Sequence, residues 1–231
     1  MRILVTGGSG FIGSNLLQKN VGAILESLDK TGDPQHKIDI TNIDWRNFPL
    51  SDFQAVIHLA AEISVEESFR KKEHYWKTNV DGTLELFQAC IDASVPRIIF
   101  ASSAAVYGPS ESALMSIGEE SEPQSPYAET KLQGEKIGQN LSCEGTKISS
   151  FRFFNVYGPG QDPRSPYAAV IPIFVNRLCK GLPIEIHGDG GQTRDFVHVS
   201  DVSRILLRSA TSIPEEKHEI LNLGTGGGIS I

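Results

Sequence analysis

Two short stretches carry side chains that could move a proton together. Tyr127 and Lys131 stand four residues apart in Tyr127-Ala128-Glu129-Thr130-Lys131, a spacing that puts a phenol and an ammonium on one helix face. Alone, such a pair reads as an ordinary surface pair. It gains weight from Phe100-Ala101-Ser102-Ser103-Ala104-Ala105-Val106-Tyr107-Gly108, an apolar run that ends in hydroxyls. If that run is a strand of a parallel sheet, its carboxyl end is where ligands bind, and Ser103 and Tyr127 can converge on one carbinol. Oxidising a carbinol by hydride loss requires its O–H proton to leave. A phenol of unperturbed pKa ~10 is a poor base unless its phenolate is favoured. A Lys131 cation supplies part of that bias and a positively charged hydride acceptor the rest. A shift of roughly three units corresponds to about 4 kcal/mol. Ser103 would hydrogen-bond the same oxygen and fix its position.

A third stretch would bring the hydride acceptor. Thr6-Gly7-Gly8-Ser9-Gly10-Phe11-Ile12-Gly13 follows an apolar run at 2–6 and precedes a helix-like segment at 14–19. Gly7, Gly10 and Gly13 allow a tight turn, close approach of backbone to a pyrophosphate, and packing of helix on strand. The helix N-terminus offers unpaired N–H groups to the anion. The second apolar run ends at Asp29, 22 residues after Gly7. A carboxylate there can accept both adenosine ribose hydroxyls, which favours NAD over NADP; Lys30, next in line, softens that preference.

These groups need a scaffold, and the chain supplies the pattern for one. Apolar runs at 2–6, 23–28, 55–60, 97–101, 147–153, 183–187 and 220–223 predict strands. Helical stretches such as 75–93 and 127–141 separate most of them, which indicates βαβ units and a parallel sheet. From Asn155 the texture changes: 157–166 is rich in turn residues, 171–180 is helical, and Ser200 or Asp201 would cap a helix over 202–210. The chain thus divides into a dinucleotide-binding domain, 1–154, and a smaller substrate lobe, 155–231, interleaved with the last strands.

At 231 residues and 39% hydrophobic, the chain can bury one large core or a core with a small lobe. A formal net charge of −7 leaves no electrostatic footprint for nucleic acid or an anionic membrane. No stretch approaches a transmembrane length, and the N-terminal apolar run is too short for a signal peptide. Cys90, Cys143 and Cys179 are widely spaced and odd in number, without metal spacing, which predicts reduced, buried thiols in a cytoplasmic protein and no metal site.

In order along nearly the whole chain, several motifs resemble the extended short-chain dehydrogenase/reductase family, in its NAD-dependent epimerase/dehydratase group. They are the 6–13 cradle, Asp39-Ile40, His58-Leu59-Ala60-Ala61, Asn79-Val80-Asp81-Gly82-Thr83, the Ser102 and Tyr127 stretches, Arg152-Phe153-Phe154-Asn155-Val156-Tyr157-Gly158-Pro159 and Asn222-Leu223-Gly224-Thr225. The resemblance is nearest to the UDP-glucose and UDP-N-acetylglucosamine 4-epimerases. It implies an α/β fold, a Rossmann-type doubly wound parallel sheet with a smaller C-terminal substrate lobe. It implies that Phe11 and Ile12 join the three glycines in holding the dinucleotide, Asp29 the ribose, and Asp39 and Ile40 the adenine. Leu59, Ala60, Ala61, Asn79 and Ser102 would line the cofactor, with Tyr127, Lys131 and the Phe154 backbone at its nicotinamide end. Ser103, Asn155, Val170 and Arg194 would bind substrate, the asparagine and arginine at the diphosphate. Arg194 has a second reading, a surface pair with Asp195; His58 and His198, each in an apolar run, predict packing roles.

Dehydratases and decarboxylases of this group carry an acidic residue just before Val-Tyr-Gly. Here Ala104 and Ala105 hold those positions and cannot transfer protons. The resemblance therefore implies 4-epimerisation of a UDP-hexose through a 4-keto sugar. A nucleotide-sugar 4-ketoreductase and a non-catalytic NAD-binding protein are the alternatives. Homodimers of the family form through two helices, matched here by 75–93 and 127–141, with Ala89, Cys90, Leu132 and Ile137 as candidate contact surface. Family members continue for several dozen residues beyond Ile231, completing their substrate lobe.

Overall fold

The computed structural model describes residues 1–19, 22–109, 115–164, 169–186 and 188–231. Its elements, in chain order, are β1 (Arg2–Thr6), α1 (Phe11–Leu17), β2 (Ile24–Asp29), β3 (His36–Lys37), β4 (Ala55–His58), α2 (Val65–Arg70), α3 (Lys72–Trp76), a π-helical turn (Lys77–Asp81) and α4 (Gly82–Asp92). There follow β5 (Arg97–Ser103), α5 (Pro126–Leu141), β6 (Lys147–Phe153), β7 (Asn155–Tyr157), α6 (Val170–Cys179), β8 (Thr193–Arg194), β9 (Phe196–His198), α7 (Val199–Thr211), β10 (His218–Leu223) and β11 (Ile229–Ser230).

Seven strands pair in the order β10-β6-β5-β4-β1-β2-β3, and every pairing is parallel. The order reverses between β1 and β4, the position at which a doubly wound sheet opens a crevice for ligands. Both faces are apolar because successive side chains point opposite ways. Leu4, Val56 and Ile98 enter one core with Leu86 and Phe87 of α4. Ile3, Ile57 and Ile99 enter the other with Leu16 of α1 and Leu206 of α7. After leaving the sheet at β7, the chain returns to it, since α7 covers one face and β10 extends the edge. Two small pairs, β7–β9 and β8–β11, stand apart from the main sheet.

Some local expectations change. No strand forms over 183–186; Pro183 has no N–H to donate, and the flanking Leu182 and Ile186 stay exposed. His187, the end of that run, lies outside the described residues, as do 165 and 166 at the end of the turn-rich stretch. The last helix starts at Val199, earlier than expected, because His198 Nδ1 caps it by accepting from the Ser200 N–H at 3.2 Å. The helix expected over 75–93 begins at Lys72 and passes through the π-helical turn. Of the cysteines, all free, Cys90 is buried while Cys179 at the end of α6 is exposed.

Candidate active site

The carboxyl ends of β1, β2, β4 and β5 and the start of α1 surround a cavity of about 460 Å³. Its walls include Gly7, Gly10, Phe11, Ile12, Gly13, Asp29, Asp39, Ile40, Leu59, Ala60, Ala61, Ser102, Ser103, Tyr127, Lys131 and Phe154, brought together from across the sequence. The glycine geometry fits a dinucleotide cradle. Gly7 has φ +71°, and a Cβ there would sit 2.6 Å from Ala60 N; a Cβ on Gly13 would sit 2.3 Å from Gly7 O, so both are required by packing. Gly10 differs: only Gly7 O lies within reach, at 3.2 Å. Its missing side chain keeps cavity space clear rather than relieving a clash. Asp29 ties the cradle to β2, accepting from Ser9 N–H and from Thr31 N–H and Oγ1–H, all at 3.0 Å.

Asn79 is placed differently from the expectation. It is buried behind the wall, where its amide clamps the backbone of Glu62: Glu62 N–H donates to Oδ1 at 2.8 Å and Nδ2–H donates to Glu62 O at 2.9 Å. The same Nδ2 reaches Thr130 Oγ1 at 3.0 Å, and Thr130 donates to Tyr127 O at 2.7 Å. Asn79 thus braces the helix that carries Tyr127. His58, also behind the wall, bridges Thr6 Oγ1 at 2.7 Å and Thr83 Oγ1 at 2.9 Å.

Ser125 caps α5, accepting from Ala128 N–H at 3.1 Å, and Pro126 takes the first turn. Tyr127 therefore emerges at the N-terminus of α5, beside Ser103 at the end of β5. Ser103 caps the following 3₁₀ turn through Ala105 N–H at 3.2 Å, and it lines the cavity together with Tyr127. Lys131 Nζ donates to Ala101 O at 2.9 Å and lies 5.9 Å from the centre of the Tyr127 ring. Burial raises the phenol above its ordinary pKa, with the nearby Ser103 hydroxyl offsetting part of the rise. Burial also lowers the Lys131 ammonium to about 8. Sequence reasoning gives Lys131 part of the bias toward the phenolate; in the protein by itself desolvation outweighs that part.

The far side of α5 is anchored by a buried ion pair. Glu135 accepts from Arg152 Nε at 2.9 Å and Nη2 at 2.8 Å, and from Ser102 Oγ at 2.5 Å. The Arg152 guanidinium lies 4.5 Å from the centre of the Tyr107 ring.

A second cavity, of about 810 Å³, adjoins the first and shares Phe154 with it. Ala104, Ala105, Asn155, Arg194, Asp195 and Gly224 are in its walls. Ser103 and Ala104, neighbours in sequence, thus face different cavities. Arg194 is not paired with Asp195; it is exposed and reaches Thr193 O at 2.7 Å. Asp195 instead holds the loop after β10, accepting from Thr225 Oγ1 at 2.7 Å and from the Thr225 and Gly226 N–H groups at 2.8 Å. Val170, at the start of α6, lines neither cavity. Sequence reasoning missed Glu62, which lines the first cavity and pairs with Lys30 at 2.7 Å. A carboxylate directly after Leu59-Ala60-Ala61 was the available signal.

Comparisons with known proteins agree with this geometry. The model of the NAD dependent epimerase/dehydratase family matches residues 3–224. UDP-glucose 4-epimerase of Streptomyces lividans is 32% identical, covering 100% of this chain and 78% of its own. UDP-N-acetyl-alpha-D-glucosaminuronate decarboxylase of Bacillus cytotoxicus is also 32% identical, covering 97% of this chain and 75% of its own. The solved UDP-N-acetylglucosamine 4-epimerase from Methanobrevibacter ruminantium M1, in complex with UDP-N-acetylmuramic acid, superposes with a TM-score of 0.90 at 33% identity, covering 100% of this chain and 78% of its own. With a glycine cradle, a parallel sheet that reverses order beside it, and these likenesses along the same residues, the chain belongs to the NAD-dependent epimerase/dehydratase family.

Proposed function

We propose that this protein is an NAD-dependent 4-epimerase of a UDP-hexose, oxidising C4 transiently to a 4-keto sugar. The observation that carries this reading is that Ser103 and Tyr127 line the first cavity while Ala104 and Ala105, next in sequence after Ser103, line the adjoining second one. Relatives include a decarboxylase as well as epimerases, so the family alone does not choose the reaction. The alanines favour epimerisation, because neither can supply the further proton transfers that elimination or decarboxylation needs. Among the described residues, Asp195 is the carboxylate in that wall, and it is committed to the loop at Thr225 and Gly226.

NAD bound in the first cavity would supply a hydride acceptor and return the same hydride. The protein's own groups do the rest. The Tyr127 oxygen takes the C4 hydroxyl proton and gives it back, Ser103 hydrogen-bonds the same substrate oxygen, and Lys131 provides positive charge behind the phenol. Asn155 and Arg194 hold the diphosphate, so the sugar can turn and present its other face; Arg194 is exposed and suited to a bidentate grip. Residues 155–231 act as the substrate lobe around that grip.

UDP-hexose deuterated at C4 tests the reading. The label should survive inversion, with no net change in the nicotinamide pool. Label released into free NADH, or a 4-keto product formed in stoichiometric amount, would replace epimerisation with a reductase or dehydratase reaction. The proposed setting is the cytoplasm, and among the described residues no helix is long and apolar enough to cross a membrane. The proposed assembly is a homodimer through α4 and α5. Of the four residues named for that face, Cys90 is fully buried and Ala89 and Ile137 pack on the core. Leu84 of α4 and Phe69 of α2 are exposed apolar groups. Sedimentation showing only monomer at micromolar concentration counts against assembly.

A further inference from the structure

We propose that Glu62 sets the choice between NAD and NADP, by occupying the Lys30 ammonium that stands beside Asp29. This inference rests on the first cavity being the dinucleotide site.

NADP differs from NAD by a phosphate on the adenosine ribose, a group carrying about −1.5 to −2 charges near neutral pH. Asp29 is the carboxylate placed for that ribose. Lys30 directly follows it, and an unengaged lysine there would attract the extra phosphate. The structure engages it. Lys30 Nζ lies 2.7 Å from Glu62 Oε1, and both residues line the cavity. Asp29 and Asp39 also act on the same ammonium. Three carboxylates against one ammonium leave this end of the cavity net negative. Such a mouth accepts ribose hydroxyls and repels a phosphate.

Glu62 is held in this position by the fold. Its backbone N–H and C=O are both taken by the Asn79 side chain, at 2.8 and 2.9 Å, and Asn79 is only 2% exposed. His74 Nε2 lies 3.1 Å from the same Oε1 that Lys30 meets. Glu62 is therefore aimed across the cavity mouth from β4 to the end of β2, where a surface side chain free to rotate would not be. An ion pair this exposed contributes little to folding, so removing it should alter binding rather than stability.

The experiment measures NAD and NADP dissociation constants by calorimetry on the parent, Glu62→Gln, Glu62→Ala, and the double variant Glu62→Gln/Lys30→Gln. The parent should prefer NAD. Both single variants should shift the NADP-to-NAD affinity ratio toward NADP by about ten-fold at low salt, an effect that shrinks as ionic strength rises. Removing Lys30 as well should abolish that shift. If the single variants bind NAD but keep the parent's ratio within about two-fold, the role of Glu62 is wrong and the dinucleotide site stands. If the shift persists without Lys30, the pairing with Lys30 is wrong. A folded parent that binds neither dinucleotide overturns the site assignment and this inference with it.

Discussion

His58 links the site to the pH stability of the whole fold. It ends β4, is 1% exposed, and packs against the Phe87 and Phe100 rings, each 5.9 Å from it centre to centre. Its tautomer follows from its neighbours. Thr83 Oγ1 donates to Asn79 O at 2.7 Å, so that oxygen is left to accept from His58 Nε2–H. Nδ1 then accepts the Thr6 hydroxyl proton, and Thr6 Oγ1 in turn accepts from Ala60 N–H at 3.3 Å, at the cavity wall. Protonating the ring would put a second N–H against a hydroxyl already oriented to donate. Burial, with the Lys131 cation adding to it, lowers His58 to about 3 from its ordinary 6.5. Because the folded value lies below the unfolded one, the contribution to stability is fully present above pH 6.5 and is lost as pH falls toward about 3. Its slope is about 1.4 kcal/mol per pH unit, so roughly 3 kcal/mol goes between about pH 6.5 and about pH 4.5. His58→Gln should cost about 1–3 kcal/mol near neutrality through lost hydrogen bonds. Urea unfolding from about pH 7.5 to about pH 4.5 should show the parent's advantage over the variant falling by roughly 3 kcal/mol, enough to cancel or reverse it. Parallel pH profiles for the two proteins would refute the claim that His58 is a neutral strut.

Three further outcomes follow from the same geometry. Tyr127→Phe removes only the ionisable hydroxyl, so turnover of the UDP-hexose should fall by roughly 10²–10⁴-fold while calorimetry still detects NAD binding; turnover at the parental rate removes the proposed mechanism. Gly10→Val fills cavity space without a severe internal clash, so thermal unfolding should change little while NAD affinity collapses; retained affinity would mean the cradle does not hold a pyrophosphate. Glu135→Gln leaves the Arg152 guanidinium, 4% exposed, without its carboxylate and should cost about 3–5 kcal/mol in urea unfolding, with Glu135→Gln/Arg152→Met recovering most of it. A loss under about 1 kcal/mol would show that water reaches the pair.

What the sequence by itself determined was what depends on covalent spacing. Glycines at 7, 10 and 13 between an apolar run and a helix define a cradle wherever they fold, and Asp29 ends the strand beside it. Four residues on a helix put Tyr127 and Lys131 on one side, and apolar runs divided by helical stretches dictate a parallel sheet. Short elements escaped: β3 has two residues, too few for a period to show, and the run that begins at Pro183 has a strand's pattern but forms no strand over 183–186. The tertiary structure decided what depends on which groups arrive from elsewhere in the chain. Asp195 could have paired with its neighbour Arg194, but the N–H groups of Thr225 and Gly226, 30 and 31 residues away, offer it several bonds at once. Glu62 meets Lys30 only because β2 and β4 flank β1 in the sheet. The sequence shows the Lys131 charge that favours a Tyr127 phenolate, but it does not show the low-dielectric surroundings that oppose one. Desolvation depends on how much of the rest of the protein closes around a group, and no spacing along the chain encodes that amount.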